Sequence, residues 1–136
     1  VFAMLAIGTA LSNAGSIGLL VDLVLPLAAD ASPFLVILGV YLLASLLTEM
    51  VTNSAVAVLL PPLAIGVAEA LQVDPRPLLV AIMFGASASF ATPIGYQTNT
   101  IVYTAADYRF RDFLLIGVPM NILVGFATSA AIAFLF

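Results

Sequence analysis

The sequence predicts an all-α integral membrane fold built from a re-entrant helical hairpin plus a broken transmembrane helix. Three observations carry that prediction. Hydrophobic residues make up 64% of the 136 and charged residues only 7%, with a mean hydropathy of +1.27, whereas soluble domains hold roughly 45–50% apolar and about 25% charged residues. Seven mostly polar residues, TEMVTNS at 48–54, sit between two uncharged apolar runs of fourteen residues each, 34–47 and 55–68. A second polar stretch, TPIGYQTNT at 92–100, interrupts an apolar helical run with the proline and glycine that unwind one.

The hairpin follows from lengths. Apolar runs of about 10–14 residues read as re-entrant or buried segments, whereas a spanning helix wants about 20. At about 1.5 Å per residue each arm is roughly 21 Å long against a hydrocarbon core of about 30 Å, so the tip falls near the midplane. Thr48 and Thr52 are four apart and share a helix face. Asn53 suits the turn that ends one helix, and Ser54 the N-cap that starts the next. The competing arrangement is two full spans with 48–54 as a surface loop, which gives the polar residues no reason to keep helical register.

The other elements come in order. Residues 1–11 read as the end of a membrane helix, and the chain as a piece of a larger polytopic protein. SNAGSIG at 12–18 marks a bend. Residues 17–29 carry Asp22 and Pro26, so an interfacial helix is expected. The run Asp30, Ala31, Ser32, Pro33 is a start signal for the hairpin at 34–71. In the second arm Pro61 and Pro62 fall in mid-helix and leave the carbonyls of Ala57 and Val58 without amide partners. Asp74 and Pro75 announce the next helix, 78–103, broken at 92–99, whose run GASASFA before the break holds Gly85 and Ser89 at small-xxx-small spacing, read as close packing. A restart near Ile101 is capped by Thr98 or Asn99. Residues 114–136, twenty-three without a charge, span the membrane, with Pro119 and Asn121 as a kink or cross-link. Arg109 and Arg111 against Arg76 alone place the 104–113 loop in the cytoplasm and the hairpin mouth outside.

Composition narrows the chemistry. With no cysteine and no histidine, disulfides, thiol nucleophiles, imidazole bases and most zinc or haem ligation are out, and an enzyme is not expected. The net charge of −4 offers no nucleic-acid footprint. What is left is oxygen: hydroxyls and amides at the tip, and backbone at the break. Discontinuous helices at membrane depth are how secondary transporters build sites, with helix N-termini toward anions and unwound carbonyls toward sodium. Hard oxygen donors suit hard cations.

LTEMVTNSAVAVLLPPLA, residues 47–64, resembles the second hairpin of the divalent anion:sodium symporters, the dicarboxylate, citrate and sulfate transporters, where a Ser-Asn-Thr signature ends the first arm. ATPIGYQTN, residues 91–99, is similar to that family's second unwound loop, above all in its sulfate-type permeases. The resemblance covers residues 1–136 and implies the C-terminal part of such a transporter, one inverted repeat whose N-terminal partner repeat is missing. It implies sodium between tip and loop, at Thr48, Thr52 and Asn53 with backbone from Ala91 and Pro93. It implies the anion against Asn53 and Ser54, near Thr92. Here the signature reads Thr-Asn-Ser, with both hydroxyl positions exchanged, and the loop continues Ile-Gly-Tyr-Gln where carboxylate-transporting relatives show Pro-Pro-Asn.

The partners expected on this reading are a small inorganic or organic anion, sodium as coupling ion with no other cofactor, membrane lipid, the missing repeat and a second copy in a homodimer. The location expected is the cell (inner) membrane, multi-pass. Glu49 also resembles a residue of that family's signature, but an ionised carboxylate at mid-depth costs about 2.5–3.5 kcal/mol or more unless paired. It is expected to face away from the site and bond to backbone or a polar partner. The rival readings are a cation/proton antiporter or arsenite-type permease, for which Glu49 would be the titratable acid, and a non-transporting membrane anchor, which gains nothing from mid-depth polar residues. The shared-site reading expects Asn53 and Thr92 within roughly 10 Å of each other.

Overall fold

In the computed structural model the described residues are Ala6, Thr9, Ala10, 13–15, Gly18, Leu19, Asp22, Pro26 and 31–136. The expected helix end at 1–11 and interfacial helix at 17–29 therefore lie, apart from those few positions, outside the described residues. Gly15 takes a left-handed φ of 71°, within the bend expected at 12–18.

Six helices follow: α1 Pro33–Thr48, α2 Asn53–Leu59, α3 Pro61–Leu71, α4 Arg76–Ser87, α5 Gln97–Ala105 and α6 Phe110–Leu135. Each start has a local cause. Ser32 and Pro33 open α1 with proline at a first-turn position, where its missing N–H costs nothing. Asp74 accepts the Arg76 N–H at 2.9 Å and opens α4. Gln72, at a left-handed φ of 56°, closes α3: its N–H reaches the Glu69 carbonyl, and the Val73 N–H reaches that of Ala68.

The body is α1 packed against α4 and α6. Tyr41 and Ala44 of α1 and Ala81 and Ile82 of α4 are buried in this core, with Val56 of α2 and Val67 of α3 in the same cluster. The α1–α4 crossing depends on Gly85, since a Cβ there would sit 2.6 Å from the Tyr41 carbonyl oxygen and 2.7 Å from the Ala44 Cβ. This is the close packing read from GASASFA.

Several boundaries differ from the sequence reading. The prolines at 61 and 62 stand midway along the run Asn53–Leu71 and also in the first turn of α3, since the helix changes over at Leu60. With that changeover the second arm, Asn53–Leu71, runs 19 residues and is long and apolar enough to cross a membrane, whereas α1 has 16. The short-arm argument thus holds for α1 alone, roughly 24 Å of helix. The break lies at 88–96 rather than 92–99, because α1 captures the end of α4 from the side, as described below. Neither Thr98 nor Asn99 caps the restart, which begins at Gln97 with Tyr96 preceding it. The final helix begins at Phe110, not 114: the Asp112 carboxylate accepts the Arg109 N–H at 2.8 Å and caps the turn.

Candidate functional site

Residues 49–52 link α1 to α2 at the tip, and 88–96 link α4 to α5 at the break. The two segments meet. Glu49, only 7% exposed, directs its carboxylate into the break. Its Oε1 accepts the Ala91 N–H at 2.7 Å and the Asn121 side-chain amide of α6 at 3.2 Å. Its Oε2 accepts the Thr92 N–H at 2.8 Å and the Thr92 hydroxyl at 2.7 Å. Beside it Gly95 presses on the tip so closely that a Cβ would stand 2.9 Å from the Thr48 carbonyl oxygen and 3.2 Å from the Glu49 Cα.

Two more side chains of α1 hold the end of α4. The Ser45 hydroxyl donates to the Ala88 carbonyl at 3.0 Å, and the Thr48 hydroxyl lies 2.9 Å from that of Ala86. A carbonyl drawn sideways has less hold on the next helical turn, which is why the run of small residues unwinds before Pro93 is reached. From the far side, the Asn99 amide donates to the carbonyls of Ser89 at 2.9 Å and Thr92 at 3.1 Å, and the Thr100 hydroxyl to that of Pro93 at 2.7 Å.

At the tip, Thr48 is wholly buried, and its Oγ1 lies 2.6 Å from the Asn53 side-chain oxygen. The half-buried Asn53 thus turns one end of its amide to Thr48 and presents the other outward. An outward NH2 suits an anion, and an outward Oδ1 suits a cation. The N-cap is Thr52, not Ser54: the Thr52 Oγ1 accepts the Ala55 N–H at 3.3 Å, while Asn53 and Ser54 form the first turn of α2. Thr52 and Ser54 are exposed.

The structure therefore brings together Thr48 and Asn53 directly, and Ala91 and Thr92 through Glu49, the neighbour of Thr48 in the chain. Pro93 is buried in the break. Thr52 and Ser54 flank this group without a side-chain bond to the break. Glu49 does not face away as expected, although its partners are backbone and polar groups; it is the fastener between the two segments. Asn121 is the functional neighbour that the sequence offered only as a kink or cross-link. Its signal was the acid of the tip itself, which once buried had to find donors somewhere.

Among the described residues no three His, Cys, Asp or Glu side chains cluster. The donors on offer to an ion are hydroxyl, amide and carbonyl oxygens, the set for a hard monovalent or divalent cation.

A family model described as citrate transporter matches residues 1–136. A Synechocystis protein described as an uncharacterized transporter is 36% identical over 133 residues, 98% of this chain and 22% of its own length. Sodium/sulfate cotransporter 1 of Chlamydomonas reinhardtii is 40% identical over 86 residues, 63% of this chain and 10% of that protein. The sodium-dependent dicarboxylate transporter SdcS of Staphylococcus saprophyticus is 26% identical over 99 residues, 73% of this chain and 19% of that protein. The chain thus spans a fifth or less of the length of the second and third relatives, and 22% of the first.

Proposed function

Because this chain belongs to the citrate transporter family, among the divalent anion:sodium symporters, we propose that it is the C-terminal part of a secondary active transporter that couples uptake of sulfate or a dicarboxylate to sodium by alternating access. The family and the relatives are transporters of the membrane, not enzymes. The observation that carries the reading is the junction of tip and break, where an apolar helical body brings oxygen donors together at two interruptions of its helices.

On this reading residues 34–71 form a re-entrant hairpin with its mouth outside, and the tip lies within the bilayer. Sodium takes oxygens from Thr48, Thr52 and Asn53 and from the backbone of Ala91 and Pro93. The anion takes Asn53 and Ser54. The rest of the site comes from chain beyond these residues, an inverted partner repeat, and two copies form the working dimer. A proton-coupled antiporter is disfavoured because the relatives are described as sodium/sulfate and sodium-dependent dicarboxylate transporters.

The test is radiolabelled sulfate and succinate uptake by the full-length protein in liposomes, with and without an inward sodium gradient. The expected result is uptake of one of the two that rises with sodium. Uptake driven by a pH gradient and indifferent to sodium would overturn it.

A further inference from the structure

We propose that Glu49 is the positioning residue of this site: it holds segment 88–96 against the 48–54 tip, sets the spacing between Asn53 and the backbone of the break, and withdraws Thr92 from contact with the anion. The inference rests on the transport reading above.

Four observations converge on it. First, all the partners of the carboxylate are donors, two on each oxygen. The arginines that could have neutralised it, Arg76, Arg109 and Arg111, are exposed at the turns, so its burial is compensated by hydrogen bonds alone. Second, those donors come from residues 42, 43 and 72 positions away. A residue that merely ended α1 would have no use for them.

Third, consecutive amides fixed on one carboxylate fix two peptide planes. Because each plane is rigid and trans, the carbonyls of Phe90 and Ala91 must point away from Glu49. The Phe90 oxygen is found against Gly117 of α6, where a Cβ would come within 2.1 Å of it. Orientation of the break's backbone is thus set from the tip. Fourth, Thr92 has no proton left to offer an anion: its N–H and its hydroxyl both go to Glu49, and its Oγ1 accepts the Gly95 N–H at 3.2 Å. An anion approaching it would also meet a carboxylate. Thr92 is a link in the clamp.

Glu49→Gln is the discriminating change because it keeps the shape. Whichever way its amide turns, the new NH2 faces a backbone N–H that is already donating and cannot reverse, that of Ala91 on the Oε1 side and that of Thr92 on the Oε2 side. The full-length protein carrying Glu49→Gln, Thr92→Val or both is compared with the parent for the sodium concentration giving half-maximal sulfate or succinate uptake, the anion KM at saturating sodium, and amide exchange over residues 88–95. Glu49→Gln should raise the sodium requirement about tenfold or more, as expected for loss of bonds to a charged group, and speed exchange at Ala91 and Thr92. Thr92→Val should shift sodium in the same direction by less, with the anion KM within about twofold. The double change should be no worse than Glu49→Gln alone, since both act through one contact.

An unchanged sodium requirement with unchanged exchange in Glu49→Gln would overturn the proposal. So would a Thr92→Val protein whose anion KM rises about tenfold while its sodium dependence stays put, the mark of a direct ligand. Should Glu49→Gln fail to accumulate, Thr92→Val and Asn121→Ala decide: each removes a donor and leaves the carboxylate, and absence of a sodium shift in both defeats the idea. A parent protein that transports without sodium dependence would instead defeat the functional reading, leaving amide exchange to judge Glu49 on its own.

Discussion

Gly117 offers the sharpest mechanical test of the junction. A Cβ there would lie 2.1 Å from the Phe90 carbonyl oxygen, 2.4 Å from its carbon and 2.5 Å from the Ala91 Cα. All three are backbone atoms of the break, so no rotamer change relieves the overlap. Restoring ordinary contact near 3.4 Å means parting α6 from the break by about 1.3 Å. The break cannot yield that distance freely, because its amides are held at 2.7 and 2.8 Å by Glu49. Overpacking of this kind costs about 1–3 kcal/mol, and a lost bond to a charged group about 1.5–3 more. Against this, alanine for glycine in a helix gains only about 0.5–1 kcal/mol. Gly117→Ala should therefore be destabilised by about 1.5–5.5 kcal/mol, in the range of core defects. Gly39→Ala is the matched control: it too lies inside a helix, but nothing stands within 4 Å of its Cβ position. Thermal unfolding of the full-length protein in detergent should rank Gly39→Ala at or above the parent and Gly117→Ala clearly below. Equal Tm values for the two alanines would refute the close approach of α6 and the break.

Thr48→Val keeps the shape but strips the hydroxyl from between the Asn53 and Ala86 oxygens, so it should cost about 1–3 kcal/mol of stability and raise the sodium requirement of uptake. Thr52→Val removes a cap on an exposed turn and should cost about 1 kcal/mol or less; a larger loss of stability there than at Thr48 would reverse the assigned roles. Cysteine at Ser54 should react with a bulky impermeant thiol reagent far more slowly than cysteine at the exposed Asp74, and equal rates would restore two full spans with a surface loop.

Helix starts were legible in the chain where a proline or an acid supplied a local cause, as at Pro33 and Asp74. The break was legible in kind, from Pro93 and Gly95, but not in place. Nothing local stops a helix at Ser87: the cause is two hydroxyls on α1 and the Glu49 carboxylate just after it, 38 to 43 positions earlier. Register at the tip slipped for a chemical reason, since Thr52 and Ser54 both carry a hydroxyl able to cap and only one backbone geometry chooses between them. The acid within an apolar stretch announced that it needed partners, but the identity of those partners, and the role of Gly117 beside them, required the packing of three helices.

The break is better understood as a folded element than as a loop. Three of its amides, Ala91, Thr92 and Gly95, donate to Glu49, Glu49 and Thr92. Four of its carbonyls, Ala88, Ser89, Thr92 and Pro93, accept from Ser45, Asn99, Asn99 and Thr100. Side chains of α1, the tip, α5 and the break itself thus replace the ladder that an uninterrupted helix would have had. Such groups left bare in an apolar surround would cost several kcal/mol each. The last turn of α1 consequently cannot draw apart from the break without stranding the Ala88 carbonyl, two amides and the Glu49 carboxylate at once. That shared penalty ties the last turn of α1, the tip and the break into one unit.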